Sequence, residues 1–206
     1  DSERQEIEDR AYKTEHNHEP ADEPDVPAAR LLDQLWINRI VRKSHGGGHG
    51  MTGALDHDIA PVQRIVLQTA WLLDDEKLAD WIALFDADGA YEITSYSPEL
   101  QRWTPWWSQP LELLRKTVSE VPRHVRDPAK RLHVLSLPMV EVSGDAARSE
   151  TPFALYRTLP TGESSLYMVG TYHDDLRRFG DGSWRYVRHC ARAHTRMLDA
   201  FTHLPV

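Results

Sequence analysis

Few residues in this chain of 206 have the types and spacing to do chemistry, and two groups come first. One is "SHGGGHG" at 44–50, where His45 and His49 lie four apart, as paired metal ligands do on a helix. Glycine is the least helical spacer available, each costing about 1 kcal/mol against alanine in a helix. The stretch therefore reads as a flexible joint, with a metal site as the minor alternative. A phosphate loop fits less well, because no strand leads in and no Gly-Lys-Ser/Thr follows. The other group centres on His133, set between Leu132 and Val134 in a strand-like run. With Asp88, Tyr91 and Tyr172 it could form an acid–base constellation inside a cup-shaped fold. The competing reading is a histidine satisfied by hydrogen bonds in the core or at a subunit contact.

Other catalytic signatures are missing. There is no Gly-x-Ser-x-Gly elbow and no dinucleotide fingerprint. The single cysteine, Cys190, lies in a strand-like run and reads as a structural thiol. One cysteine makes no intramolecular disulfide, which suits a reducing cytoplasm. It also excludes any zinc cluster within this chain that needs two thiolates.

Charge narrows the partners. The net charge is −8, and residues 1–30 hold ten acids against four bases, so most of the imbalance sits in that first stretch. Nucleic acid would want a basic face, so it is not an expected partner. The acidic opening "DSERQEIEDR" is not a signal peptide, and no run approaches the roughly 18 apolar residues of a membrane span.

The elements that must position these residues can be read in order. Residues 1–50 are expected to be an acidic arm, too polar over 1–30 to fold alone, with a short amphipathic helix over 31–43 before the glycine joint. That helix is expected to dock on a neighbouring subunit. The domain proper is placed at 51–206, its compact part starting near Asp58. "PVQRIVLQTAWLL" sets Val62, Ile65, Val66, Thr69, Leu72 and Leu73 on one helical face, with Pro61 in the first turn. "DDEKLADWIALF" gives a second helix through Leu78, Trp81, Ile82 and Phe85, capped by Asp75. A short strand through Tyr91 and Ile93 follows. "WTPWWSQPLELLRKTV" reads as an aromatic loop and then a helix opening near Ser108.

After about residue 130 the chain reads as four long antiparallel strands, paired through "SGDA" and "GDG" turns. Gly170 and Pro138 are expected bulge or edge points. The economical fold is α+β, a curled antiparallel sheet wrapped on N-terminal helices as a cone. Trp103, Trp106 and Trp107 suit an interface or a pocket lid. The arginines recurring along the last hairpin, among them Arg177, Arg185 and Arg188, suit a charged outer face or a polar subunit contact.

Several of these stretches resemble the small (β) subunits of aromatic-ring-hydroxylating oxygenases, over about residues 62–206. Ala70, Leu72, Leu73, Asp74 and Trp81 match an opening Ala-x-Leu-Leu-Asp motif with its later tryptophan. Arg131, His133, Phe153, Tyr156 and Arg157 match the next strand pair. Gly170, Asp174, Leu176, Arg177, Trp184, Arg185 and Arg188 match the final hairpin. The likeness is greatest to the branch acting on aromatic carboxylic acids, the terephthalate dioxygenase and salicylate 5-hydroxylase type. Thr171 and Tyr172 replace that family's usual arginine pair.

The resemblance implies a cystatin-like or NTF2-like cone and a non-catalytic, structural role in an α3β3 hexamer. It implies that a Rieske [2Fe-2S] cluster and a mononuclear Fe(II) sit in the large (α) subunit, with NAD(P)H feeding electrons through a separate ferredoxin and reductase. No cofactor or metal is expected on this chain. Trp103, Trp106, Trp107, Arg131, His133, Arg177, Arg185 and Arg188 are then subunit-interface candidates. The alternative is a stand-alone dehydratase or isomerase on the same fold, using His133 with Asp88 and Tyr91.

Overall fold

The structure is a computed structural model in which residues 52–123, 127–198 and 204–206 are described, with side chains from residue 59 onward. The chain divides into two units, Asp1–Gly48 and His49–Val206, and the described residues belong to the second. The acidic arm, the 31–43 helix and the His45/His49 joint lie outside the described residues.

Helix α1 runs from Thr52 to Asp74, longer than the pattern suggests, with Pro61 inside it. A proline forfeits one rung of the hydrogen-bond ladder, and the turns before it still form. The face read from the sequence is the buried one: Val62, Val66 and Thr69 are fully buried, with Ile65 and Leu73 nearly so. The helix stops where Glu76 takes a left-handed conformation (φ 55°), the Lys77 N–H reaching back to the Leu72 carbonyl at 2.8 Å. Asp75 caps nothing; it pairs with exposed Lys77 at 2.8 Å. Helix α2 is only Leu78–Ile82, and Phe85 already begins strand β1, Phe85–Ser97.

Two expectations give way after β1. The tryptophan stretch is strand β2, Arg102–Pro110, paired antiparallel with β1; helix α3 starts at Leu111 and ends at Glu120, with Pro110 as its N-cap. Aromatic and β-branched residues fit a pleated ladder as well as a loop, and the missing alternation came from a bulge at Trp106. The stretch after 130 is five strands rather than four: β3 Lys130–Leu135, β4 Met139–Ser143, β5 Ala146–Thr158, β6 Ser164–Arg178 and β7 Trp184–Ala193. Pro138 sits in the break between β3 and β4, its carbonyl held by the Gln63 side chain at 3.0 Å.

The seven strands form one sheet, ordered β2-β1-β7-β6-β5-β3, with β4 also on β5. It is mixed, not wholly antiparallel, because β1 and β7 run parallel. Their pairing needs a crossover of 86 residues, 98–183, which no local turn signal announces. Helix α1 packs on β3, β4 and β7, and α3 on β1 and β2. Register breaks fall at Leu155/Tyr156, at Asp175/Leu176 and between Phe85 and Ala90. None falls at Gly170. That glycine answers a close approach instead: a Cβ there would lie 2.9 Å from the Phe153 ring.

Candidate functional site

The pleat sends alternate residues of each strand to the helix-covered face, and register aligns them across strands. One inward row crosses four neighbouring strands: Ser149 on β5, Asp174 on β6, His189 on β7 and Tyr91 on β1. All four are buried. Asp174 is the hub. Its Oδ2 accepts from the Ser149 hydroxyl at 2.9 Å, and its Oδ1 lies 2.6 Å from His189 Nδ1. A carboxylate on Nδ1 fixes the orientation of the imidazole and turns Nε2 away from Asp174.

Aromatic rings close around that imidazole. Tyr91 stacks on it at 5.7 Å between centroids, Tyr172 and Tyr186 lie at 4.8 and 4.9 Å, and Phe85 at 6.3 Å. Desolvation drives the Tyr91, Tyr172 and Tyr186 hydroxyls well above the ordinary phenol value, so all three stay protonated. His189 Nε2, the Tyr172 hydroxyl and the Trp81 indole nitrogen are buried with no hydrogen-bond partner. The interior is thus a packed polar–aromatic cluster.

A second imidazole–carboxylate pair joins α1 to β3. Asp74, the last residue of α1, accepts from the His133 backbone N–H with both oxygens, at 3.1 and 2.9 Å, and lies 2.6 Å from His133 Nδ1. His133 therefore serves as a clamp between helix and edge strand. The constellation expected around it is not assembled. Tyr91 is engaged elsewhere, donating to the Val206 carbonyl at 2.9 Å and accepting from the Val206 N–H at 2.8 Å. Asp88 is exposed, in the stretch of β1 that loops out between the Phe85 and Ala90 pairings. Tyr172 lies beside His189, which the reading of the sequence passed over.

The interface candidates take varied places. Trp103 is 40% exposed, edge-on to Tyr96, with Arg192 over its ring at 5.4 Å. Trp106 and Trp107 are half-buried against the core. Arg188 forks onto Glu92 at 2.7 Å, Arg177 reaches buried Asp86 at 3.0 Å, and Arg185 lies over Phe179 at 4.4 Å. Arg131 donates to the Pro205 carbonyl at 2.8 Å. Cys190 is fully buried, its thiol pushed up by desolvation. Among the described residues no group of three or more His, Cys, Asp or Glu side chains could hold a metal ion, and no helix is long and apolar enough to cross a membrane.

Helices followed by a curved mixed sheet, with a polar cluster inside, define an NTF2-like cone. Residues 57–189 match the SnoaL-like domain, and the chain belongs to that family. Its curated relatives include the β subunit of 2-aminobenzenesulfonate 2,3-dioxygenase from an Alcaligenes species, 26% identical over 72% of this chain and 99% of that one. They also include a β subunit of the terminal oxygenase component of terephthalate 1,2-dioxygenase from a Comamonas species, 25% identical over 65% and 89%. Among solved structures, a chain described as the β subunit of an aromatic-ring-hydroxylating dioxygenase from Novosphingobium aromaticivorans shares the fold. Its TM-score is 0.62 at 18% identity, covering 71% of this chain and 95% of that one.

Proposed function

We propose that this chain is the non-catalytic small subunit of a multicomponent Rieske-type oxygenase acting on an aromatic carboxylic acid. In this reading it stabilises an α3β3 assembly in the cytoplasm. The iron–sulfur cluster and mononuclear iron then belong to the large subunit, and NAD(P)H reaches them through a ferredoxin and reductase. The relatives named above support the subunit role.

The observation that carries the reading is the outer surface. Trp71 is 77% exposed, Leu137 72%, Met139 69% and Leu132 56%. Val134 and Leu166 are also exposed, on the outward side of β3 and β6. Leu132, Tyr156 and Leu166 lie in one row across β3, β5 and β6, all exposed, and exposed apolar side chains side by side mark a surface meant to be covered. Trp103, Trp106, Trp107, Arg177, Arg185 and Arg188 are the residues proposed to meet neighbouring subunits, and the 1–50 arm is proposed to add to the same assembly.

Co-expression with its large subunit tests this. The two chains should co-purify as a stoichiometric complex carrying all the iron, while this chain alone should be colourless. Stoichiometric iron in the lone chain, or full oxygenase activity without it, would overturn the reading.

A further inference from the structure

The arginines on the outward face of the sheet are balanced by acids, with one exception. Arg188 forks onto Glu92, Arg148 meets Asp175, and Arg196, just past the end of β7, meets Glu99. Arg192 pairs with no carboxylate among the described residues. Register sets it instead between two threonines, Thr171 on β6 and Thr94 on β1. Its guanidinium lies over the Trp103 ring at 5.4 Å.

The surroundings of that cation are aromatic and open. Tyr96 and Trp103 stand opposite each other in register on β1 and β2, both exposed and edge-on at 5.8 Å. Leu100, in the turn joining those strands, is exposed too. Arg192 itself is half-buried, so part of its hydration is already lost. Its charge is felt nearby: burial, and then Arg192, Arg188 and His194, hold the His173 imidazole down to about 4. A half-buried guanidinium on an aromatic face is completed by an arriving carboxylate, whose two oxygens match its fork of donors.

We propose that Arg192, flanked by Trp103 and Tyr96, receives a carboxylate side chain of the large subunit. The inference rests on the small-subunit reading above and adds the partner's chemistry to it. Charge complementarity selects the occupant, because the patch offers a cation and two aromatic rings and lacks an acid. A second copy docked about a two-fold axis would bring the same patch against itself. Its acids Glu92 and Glu99 are already engaged by Arg188 and Arg196, so Arg192 would face a like charge. An aspartate or glutamate on a different chain meets the need without that conflict. Tryptophan, tyrosine and arginine are also the residue types that most often carry binding energy in an interface.

The complex with the co-expressed large subunit tests this. Against the parent, Arg192→Glu should weaken association about tenfold or more in a pull-down titration. Arg196→Gln, which removes an exposed and already paired arginine, should stay within about twofold. Arg192→Lys keeps the charge and supplies an amine. Carbodiimide treatment of that complex should join the introduced lysine to an aspartate or glutamate of the large subunit, read by peptide mass spectrometry. Near-UV dichroism of each lone chain reports folding, and if Arg192→Glu does not fold, the cross-link decides. Equal association of Arg192→Glu and parent, an equal loss in Arg196→Gln, no cross-link, or a cross-link to a second copy of this chain would each overturn the proposal while leaving the subunit reading in place. A parent chain that does not bind the large subunit would overturn both.

Discussion

Two rows of side chains cross the same strands one residue apart and lead different lives. The inward row is Ser149, Asp174, His189 and Tyr91. The outward row is Arg148, Asp175, Arg188 and Glu92, with charges alternating along the sheet. Arg148 meets Asp175 at 3.1 Å, Asp175 lies opposite Arg188 in register, and Arg188 meets Glu92 at 2.7 Å. The adjacent carboxylates show the contrast best. The Asp174 side chain is fully buried with two short partners, and Asp175 is 42% exposed with one. Water screens the outer pair and can replace either partner, whereas nothing replaces the inner one. The same residue type is thus structural on one face and nearly neutral on the other.

The largest effect should come from removing the ring beneath the inward row. Trp81 is fully buried and packs edge-on to both Phe85 and Tyr91. Trp81→Ala should cost about 3–5 kcal/mol in urea unfolding through loss of packing and a residual cavity. If the cost were near zero, the interior would not be the packed cluster described above.

Next, Asp174→Asn should cost about 3 kcal/mol, because it leaves the Ser149 hydroxyl and His189 Nδ1 with a weaker, wrongly matched partner in a dry site. Asp175→Asn, its outward neighbour, should stay within about 0.5 kcal/mol in the same assay. Equal effects would erase the distinction between the two faces.

A pH effect sharpens the comparison from the outer side. His173, beside Glu150 at 3.3 Å, is held down to about 4 by burial, and then by Arg192, Arg188 and His194. At neutral pH its contact with Glu150 is therefore that of a neutral imidazole. The unfolded chain takes this proton first, near the ordinary value of about 6.5. Its contribution is complete above that value and is lost as pH falls toward 4. His173→Gln should flatten the fall in stability over that window, by on the order of 1–2 kcal/mol at its acid end, measured by thermal unfolding against pH.

The smallest effect on the lone chain should come from its exposed apolar side chains. Trp71→Ala and Leu137→Ser should leave unfolding free energy within about 0.5 kcal/mol. If they lie at subunit contacts, they should weaken association with the large subunit by about tenfold or more in a pull-down titration.

The buried face of α1 was legible because Val62, Ile65, Val66, Thr69 and Leu73 recur at helical spacing. The final hairpin was legible from its "GDG" turn. The inward row was not. Counting back from the turn with strict alternation sets Asp174 opposite Arg188, a simple pair of opposite charges with no histidine in it. The register break between Asp175 and Leu176 inserts one extra residue on β7 and brings His189 inward instead. A one-residue slip of this kind moves every later side chain to the other face, and no residue type in "WRYVRHCARA" announces it. The tryptophan stretch failed for a related reason, since the bulge at Trp106 hid the strand periodicity. Asp88 was misplaced because β1 loops out where it stands.

By itself the sequence determined the α+β class, the helix faces, most of the strands and the lack of familiar catalytic signatures. These depend on local periodicity and on residue types, which one segment carries alone. Tertiary structure decided the parallel pairing of β1 with β7, the Asp174–His189 and Asp74–His133 pairs, and the seating of Val206 on Tyr91. The last two residues are 115 apart in the chain. Contacts over such separations depend on register, bulges and shared burial among segments that carry no local record of one another.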